Sequence, residues 1–291
     1  MVSLQVILKR LAPAKINLGL HVLRKRPDGY HDLETVFLRF PWADVLTIRP
    51  AEDLTLTCSD PTLTTDETNL VMKAARCLAD AYRVEQGAAL HLEKRLPYGA
   101  GLGGGSSDAA AALRLLADFW ALSASDEALH EVALSLGSDV PFFLGPPVAH
   151  ATGRGEELTP LHDPATGASY RFPFFLVVVV PPVHVATVRA YRLVHPCEAG
   201  RPDLRALVAS NDLAHWRAHL VNDFEAPLFD AYPAIRGVKE ALLEAGAGYA
   251  AMSGSGSAVF GVFEEAEPAA EAAEAARRRG HRVWHGPADA G

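Results

Sequence analysis

Cysteine is scarce in this chain, and its placement closes off two classes of protein. Cys58, Cys77 and Cys197 are the three among 291 residues, odd in number, widely spaced and in no C-x-x-C pair. A disulfide framework and a cysteine-built metal site are therefore excluded, and a reducing cytoplasm is the expected compartment. Long hydrophobic runs are lacking too. The most apolar stretch, Phe172 to Val183, is too short to cross a bilayer and is broken by Pro173, Pro181 and Pro182, so it reads as a buried strand. Met1 to Leu8 has neither a charged flank nor an apolar core, which is not a signal-peptide pattern. Positive charge is in deficit: 27 Lys and Arg against 35 Asp and Glu give a formal net charge of -8, which argues against a nucleic-acid partner. A basic cluster, Arg24-Lys25-Arg26, runs into Pro27-Asp28-Gly29 and reads as a solvated turn rather than a phosphate contact. No internal repeat is present.

What is there is an ordinary globular composition, 49% hydrophobic and 21% charged, over a length that suits two compact domains. Short alternating runs at Val2 to Leu8, Ile16 to Val22, Thr35 to Phe40, Val45 to Ile48 and Leu54 to Thr57 predict antiparallel strands. A helix is expected from Asn69 to Tyr82, a strand over Leu90 to Lys94, and a helix from Ser107 to Trp120. Ser125-Asp126-Glu127 caps a further helix that Gly137 ends. After a Pro-, Gly- and Asp-containing linker at Leu161 to Ser169 come the apolar strand Phe174 to Val180 and helices at Leu204 to Ala209, Ala214 to Val221 and Ala234 to Glu244. Ala258 to Phe263, Pro268 to Arg279 and His281 to Trp284 form a closing strand-helix-strand. The reading is α+β, with domains over 1–165 and 166–291 and a cleft between them.

The strongest chemical signal is Pro97-Tyr98-Gly99-Ala100-Gly101-Leu102-Gly103-Gly104-Gly105-Ser106-Ser107-Asp108. Five glycines in seven residues leave backbone N–H groups bare enough to wrap phosphate oxygens, and a helix opens directly afterwards with its positive end. Ser106 and Ser107 can add hydroxyl donors. Gly99, Gly101 and Gly104 fit G-x-G-x-x-G, but the antiparallel-looking strands before them disagree with a Rossmann unit. No Walker lysine follows the last glycine, and H-R-D and D-F-G are missing.

What remains resembles the second motif of the galactokinase, homoserine kinase, mevalonate kinase and phosphomevalonate kinase superfamily, the GHMP kinases. Ala251-Met252-Ser253-Gly254-Ser255-Gly256-Ser257-Ala258 resembles their third motif, although alone it could be a solvent-exposed turn. Ala12-Pro13-Ala14-Lys15-Ile16-Asn17-Leu18-Gly19-Leu20 resembles the first, with Lys15 and Asn17 two apart on a strand and so on one side. Arg26-Pro27-Asp28-Gly29-Tyr30-His31-Asp32-Leu33-Glu34-Thr35, Gly137-Ser138-Asp139-Val140-Pro141 and Gly153-Arg154-Gly155-Glu156 narrow the likeness to the 4-diphosphocytidyl-2-C-methyl-D-erythritol kinase family, over Leu11 to about Phe263. The resemblance implies a ribosomal-protein-S5-like amino-terminal domain, a ferredoxin-like carboxyl-terminal domain and an active site in the cleft. It also implies ATP as co-substrate, with magnesium carried on the nucleotide, a cytidine diphosphate-linked polyol as acceptor and a place in the non-mevalonate isoprenoid route. The expected protein touches neither nucleic acid nor membrane and is a monomer or weak homodimer.

By the same resemblance Asp139 is the base that takes the proton from the acceptor's 2-hydroxyl, and Lys15 lies beside it as the positive charge. The loop Pro97 to Ser107 holds the ATP phosphates, with Asn69 and Lys94 near the nucleotide. Asn17, Tyr30, His31, Thr187 and Tyr191 are implied on the acceptor side, the aromatics offering flat faces to cytosine. Ala186-Thr187-Val188 stands where the family often has Pro-Thr-Pro, which loosens the placement of Tyr191. Without the family, Lys15 would read as a surface strand lysine and Asp139 as a helix-terminal cap. His215 and His219, four apart with no HExxH, read as a solvated helix face rather than a metal pair. Other superfamily kinases would lack Pro27-Asp28-Gly29-Tyr30-His31, and a nucleotide sensor without turnover would have lost Lys15 or Asp139.

Overall fold

The computed structural model describes residues 7–289, so the expected strand at Val2 to Leu8 falls almost wholly outside the described residues. Two long strands come first, β1 (Leu8–Lys25) and β2 (His31–Pro50), paired with each other. β2 joins pieces the sequence suggests as separate. Thr35 to Phe40 and Val45 to Ile48 run on through Pro41, which is exposed, where a missing N–H is cheap. The chain forms two compact units. One takes residues up to Ala14, Trp42–Tyr98 and Gly103–Gly145; the other takes Lys15–Pro41, Gly99–Leu102 and everything from Pro146 onward.

In the first unit β2 leads to β3 (Thr55–Cys58), helix α1 (Leu70–Tyr82) and β4 (Ala88–Glu93). β4 pairs antiparallel with β2, from Val45 opposite Glu93 to Pro50 opposite Ala88, but parallel with β3. The expected all-antiparallel set is corrected here. Parallel neighbours need a long crossover, and α1 supplies it. Asn69 caps α1 by accepting from the Val71 N–H at 2.9 Å, and Arg83 closes it at φ 54°. Helix α2 (Gly104–Phe119) starts three residues before the expected Ser107. Helix α3 (Asp126–Leu136) is capped by the Ser125 hydroxyl and stops at Gly137 as expected; Asp126 and Glu127 sit at its positive end. A single 3-10 turn, Pro141–Leu144, follows. Ala109, Ala110 and Ala112 of α2 are buried in one core with Leu78, Leu46, Ile48 and Leu90, small side chains that let helices approach closely.

In the second unit Thr35–Leu38 of β2 pairs with β5 (Val148–Thr152), and β5 with β6 (Glu157–Pro160), all antiparallel. Neither strand was foreseen. Residues 161–169 fold into a tight turn, the Asp163 N–H donating to Ala168 at 2.9 Å while its carboxylate accepts from the Ala165 and Thr166 N–H groups. Then come β7 (Phe175–Val180), α4 (Thr187–Leu193), α5 (Leu204–Ala209), α6 (Leu213–His219), α7 (Glu225–Ala231), α8 (Pro233–Glu244), β8 (Tyr249–Met252), β9 (Val259–Phe263), α9 (Ala266–Arg278) and β10 (Arg282–Pro287). The sheet runs β10-β7-β9-β8 with antiparallel neighbours throughout. That is fourth, first, third, second in chain order, the ferredoxin-like arrangement that was expected. Valines fill β7 because a central strand covered on both faces needs no polar alternation. Val177 and Val179 share a core with Ile235, Val238 and Leu242 of α8 and Ala273 of α9. Among the described residues no helix is long and apolar enough to cross a membrane.

Candidate functional site

The glycine loop begins after Leu96. Gly99, Gly101 and Gly103 lie at φ +65°, +79° and +70°, where any Cβ is strained. At Gly101 there is also no room: a Cβ would stand 2.2 Å from the backbone oxygen of Ser253. Gly104 is different. It is already helical, and a Cβ there would meet its nearest neighbours at an ordinary 3.5 Å. The loop's carbonyl oxygens are engaged from within the second unit. The Ala258 N–H donates to Ala100 at 3.0 Å, the Ser253 hydroxyl to Gly101 at 2.9 Å, and the Lys15 N–H to Leu102 at 2.9 Å. Peptide planes anchored by their oxygens can gather their N–H sides into an anion-binding concavity, and α2 adds its positive end immediately after. Ser107 is buried, with a hydroxyl that has no protein partner.

The segment Ala251 to Ala258 is a buttress rather than a free turn. Asn222, 3% exposed, donates to the carbonyls of Met252 at 2.7 Å and Gly254 at 2.9 Å, and accepts from the Phe224 N–H at 3.0 Å. Asn222 was missed. Its one sequence signal is an Asx-type residue between two helices.

Lys15 and Asn17 share one side of β1, as the strand period requires. They are 4% and 2% exposed, so Lys15 is no surface lysine. Its ammonium donates to Asn17 Oδ1 at 2.8 Å, reaches the Gly101 carbonyl at 3.4 Å and stands 4.9 Å from the centroid of the Phe37 ring. Asn17 Nδ2 donates to Thr35 Oγ1 at 3.0 Å, and that hydroxyl donates on to the Gly19 carbonyl at 2.5 Å. Thr35 thus orients Asn17, a role no spacing rule discloses.

Tyr30 and His31 follow a tight turn, and Tyr191 lies in α4. The Arg26 N–H donates to the Tyr30 carbonyl at 2.8 Å, Gly29 turns at φ +89°, and Asp32 pairs with Arg24 at 2.5 Å and Arg26 at 2.9 Å. Arg24 and Arg26 therefore form surface ion pairs that brace this turn, each weak alone. His31 stacks on Tyr191 with centroids 4.9 Å apart at 25°, and Tyr191 meets Phe224 edge-on. Burial and the nearby Lys25 hold the His31 imidazole below its ordinary pKa, which favours a neutral ring. Tyr30 is 57% exposed, with the Arg154 guanidinium over its face. Thr187 opens α4, its hydroxyl 3.4 Å from that of Ser255.

The first unit carries the rest. Asn69 spends its side chain on capping α1 and on the Thr64 carbonyl, at 2.7 Å. Lys94 lies against Asp44 and Asp108 under the first residue of α2. Pro97 and Tyr98 lead into the loop, Tyr98 being 72% exposed. Asp139 sits half-buried in the turn between α3 and the 3-10 turn, where the Val140 N–H donates to Gly137 at 3.2 Å. On α6 the rings of His215 and His219 are 4.6 Å apart. Among the described residues no three His, Cys, Asp or Glu side chains gather to hold a metal.

Residues 69–145 match the model of the GHMP kinases N terminal domain, and residues 203–282 that of the GHMP kinases C terminal. The chain is 55% identical over 278 residues to the 4-diphosphocytidyl-2-C-methyl-D-erythritol kinase of Salinibacter ruber, covering 95% of this chain and 97% of that one. It is 47% identical over 275 residues to that of Chlorobium limicola, 93% of each being covered. A crystal structure of 4-(cytidine 5'-diphospho)-2C-methyl-D-erythritol kinase superposes with a TM-score of 0.81 at 39% identity, over 98% of this chain and all of the other. Two glycine loops, a buried lysine-bearing strand and these likenesses agree, and the chain belongs to the GHMP kinases, within them to the family of the 4-diphosphocytidyl-2-C-methyl-D-erythritol kinases.

Proposed function

We propose that this chain phosphorylates the 2-hydroxyl of 4-diphosphocytidyl-2-C-methyl-D-erythritol with ATP, giving the 2-phosphate and ADP in the methylerythritol phosphate route to isopentenyl diphosphate. The observation that carries this is the 55% identity to the Salinibacter ruber kinase over nearly the whole of both chains. Asp139 takes the hydroxyl proton. The freed oxygen then bonds to the γ-phosphorus as the bond to the ADP oxygen breaks. Lys15 supplies the positive charge that keeps a carboxylate ionised and steadies an alkoxide. Residues 97–107 grip the phosphates, with Asn69 and Lys94 on the nucleotide side, and magnesium arrives on ATP as part of the substrate. Asn17 and Thr187 contact the acceptor, and Tyr30, His31 and Tyr191 its cytosine. We assign the nucleotide to a domain over 1–165 and pair it with a second over 166–291, in a cytoplasmic monomer or weak homodimer.

A coupled ADP-release assay tests the reaction. Turnover is expected with the cytidine substrate and none with homoserine, mevalonate or galactose; the reverse pattern would overturn the proposal. A second measurement addresses cytosine. Tyr191→Ala should raise KM for the cytidine substrate about five- to a hundredfold and leave that for ATP unchanged, since a lost stacking face is worth ~1–3 kcal/mol. Unchanged KM for both would leave Tyr191 as packing for His31 and Phe224 alone.

A further inference from the structure

Three charges are buried beneath the start of α2. Asp44 is fully buried, Asp108 is 3% exposed, and the Lys94 side chain is 5% exposed. Desolvation offsets much of the attraction between buried charges, so such a group is weak evidence for stability and its geometry is the informative part. The geometry here has a direction. One oxygen of Asp44 accepts from the N–H groups of Arg95 at 2.5 Å and Leu96 at 2.8 Å, the last residues before the glycine loop. Its other oxygen takes the Lys94 ammonium, which donates again to Asp108 Oδ2 at 2.8 Å, on the second turn of α2. A Cβ at Gly104 would lie 3.5 Å from Lys94 Nζ and 3.7 Å from Asp44 Oδ2, so the cluster sits directly under the point where loop becomes helix.

We infer that Asp44 and Asp108 are positioning residues for the nucleotide, clamping the entry and exit of the glycine loop to each other through Lys94. This rests on the reading that the loop grips ATP. The cluster also carries a proton. Asp108 Oδ1 is buried without a partner. Burial pushes the carboxyl up to about 7, Lys94 opposing and Asp44 reinforcing the rise, and these two are the charged groups that act on it. Burial lowers the Lys94 ammonium, but Asp108 and Asp44 outweigh it and leave it above the ordinary lysine value. Lys94 therefore stays charged while Asp108 exchanges its proton near neutrality. As pH rises through that range, the cluster gains a negative charge under the phosphates, which opposes ATP.

The test is calorimetric binding of ATP and, separately, of CDP to the full chain from about pH 6 to about pH 8, with thermal melts. Asp44→Asn should weaken ATP about tenfold or more at each pH, while CDP binding stays within about twofold. Wild-type ATP affinity should fall with rising pH more steeply than that of Asp108→Asn; this comparison cancels the titration of ATP itself. If both variants fold and bind ATP within twofold of wild type throughout, with lower melting alone, the cluster is only a structural staple and the inference fails. Should Asp44→Asn not fold, the pH slopes of wild type and Asp108→Asn decide by themselves. A wild type that binds CDP but no ATP would instead overturn the loop reading and the inference with it.

Discussion

Asp139→Asn should lower single-turnover phosphoryl transfer by ~10²–10⁴-fold while ATP still binds, the range for loss of a positioned base. Asparagine keeps the shape and most hydrogen bonding of aspartate but cannot take a hydroxyl proton. Asp139 stands in a short turn closed by the Val140 N–H on Gly137 and followed by Pro141, so a side chain of equal size should leave the backbone in place. Lys15→Ala should cost a similar factor. Its ammonium is buried and tied to Asn17 Oδ1, so truncation removes both the charge and a hydrogen bond to Asn17. The double variant should fall short of the product of the two, because a charge that assists a base has little to assist once the base is gone. If Asp139 only capped a helix end, Asp139→Asn would be nearly silent, since asparagine caps as well. A folded Asp139→Asn protein working at more than about a tenth of the normal rate would rule out the base.

Gly101→Val should abolish measurable ATP binding, a loss of more than about a hundredfold, in a protein that still folds. Two independent constraints meet at this residue. Its φ of +79° is strained for any L side chain, and a Cβ would stand 2.2 Å from the Ser253 oxygen, a contact that only backbone movement can relieve. The movement must break the Ser253 hydroxyl bond to the Gly101 carbonyl and shift the plane of the loop. Gly104→Ala is the matched control. It lies in helical backbone with ordinary contacts around its Cβ, so ATP affinity should change by no more than a few-fold. Calorimetry on both variants settles the point, and normal affinity in folded Gly101→Val would remove the loop from the nucleotide.

The difference between these two glycines shows where sequence reasoning reaches its limit. That the loop is rich in glycine is plain from composition. Which glycine is indispensable depends on Ser253, which the chain brings back from 152 residues away. Lys15 and Asn17 were legible as a same-face pair because strand alternation is local, yet the burial of Lys15 was not, since it comes from Phe37 and the loop. The ferredoxin-like order of the second sheet was foreseen from family likeness, and no local pattern carries it. Strand β3 shows the same limit in small: its alternation marks a strand, but its direction beside β4 is set by the crossover through α1. Asn222, Thr35 and Asp44 escaped notice because each acts through partners far along the chain, and a lone polar residue has no period.

The bonds from the Lys15 and Ala258 amides to the loop carbonyls of Leu102 and Ala100 have a consequence for exchange with deuterated water. Each proton can leave only when the loop releases it, so its protection factor measures the free energy of loop detachment with no ligand present. The two reporters sit near opposite ends of the chain yet watch carbonyls only two residues apart in the loop. If the loop detaches as one piece, they should exchange with the same protection. Saturating ATP should slow both together, by a factor that converts directly into the nucleotide's contribution to holding the loop down.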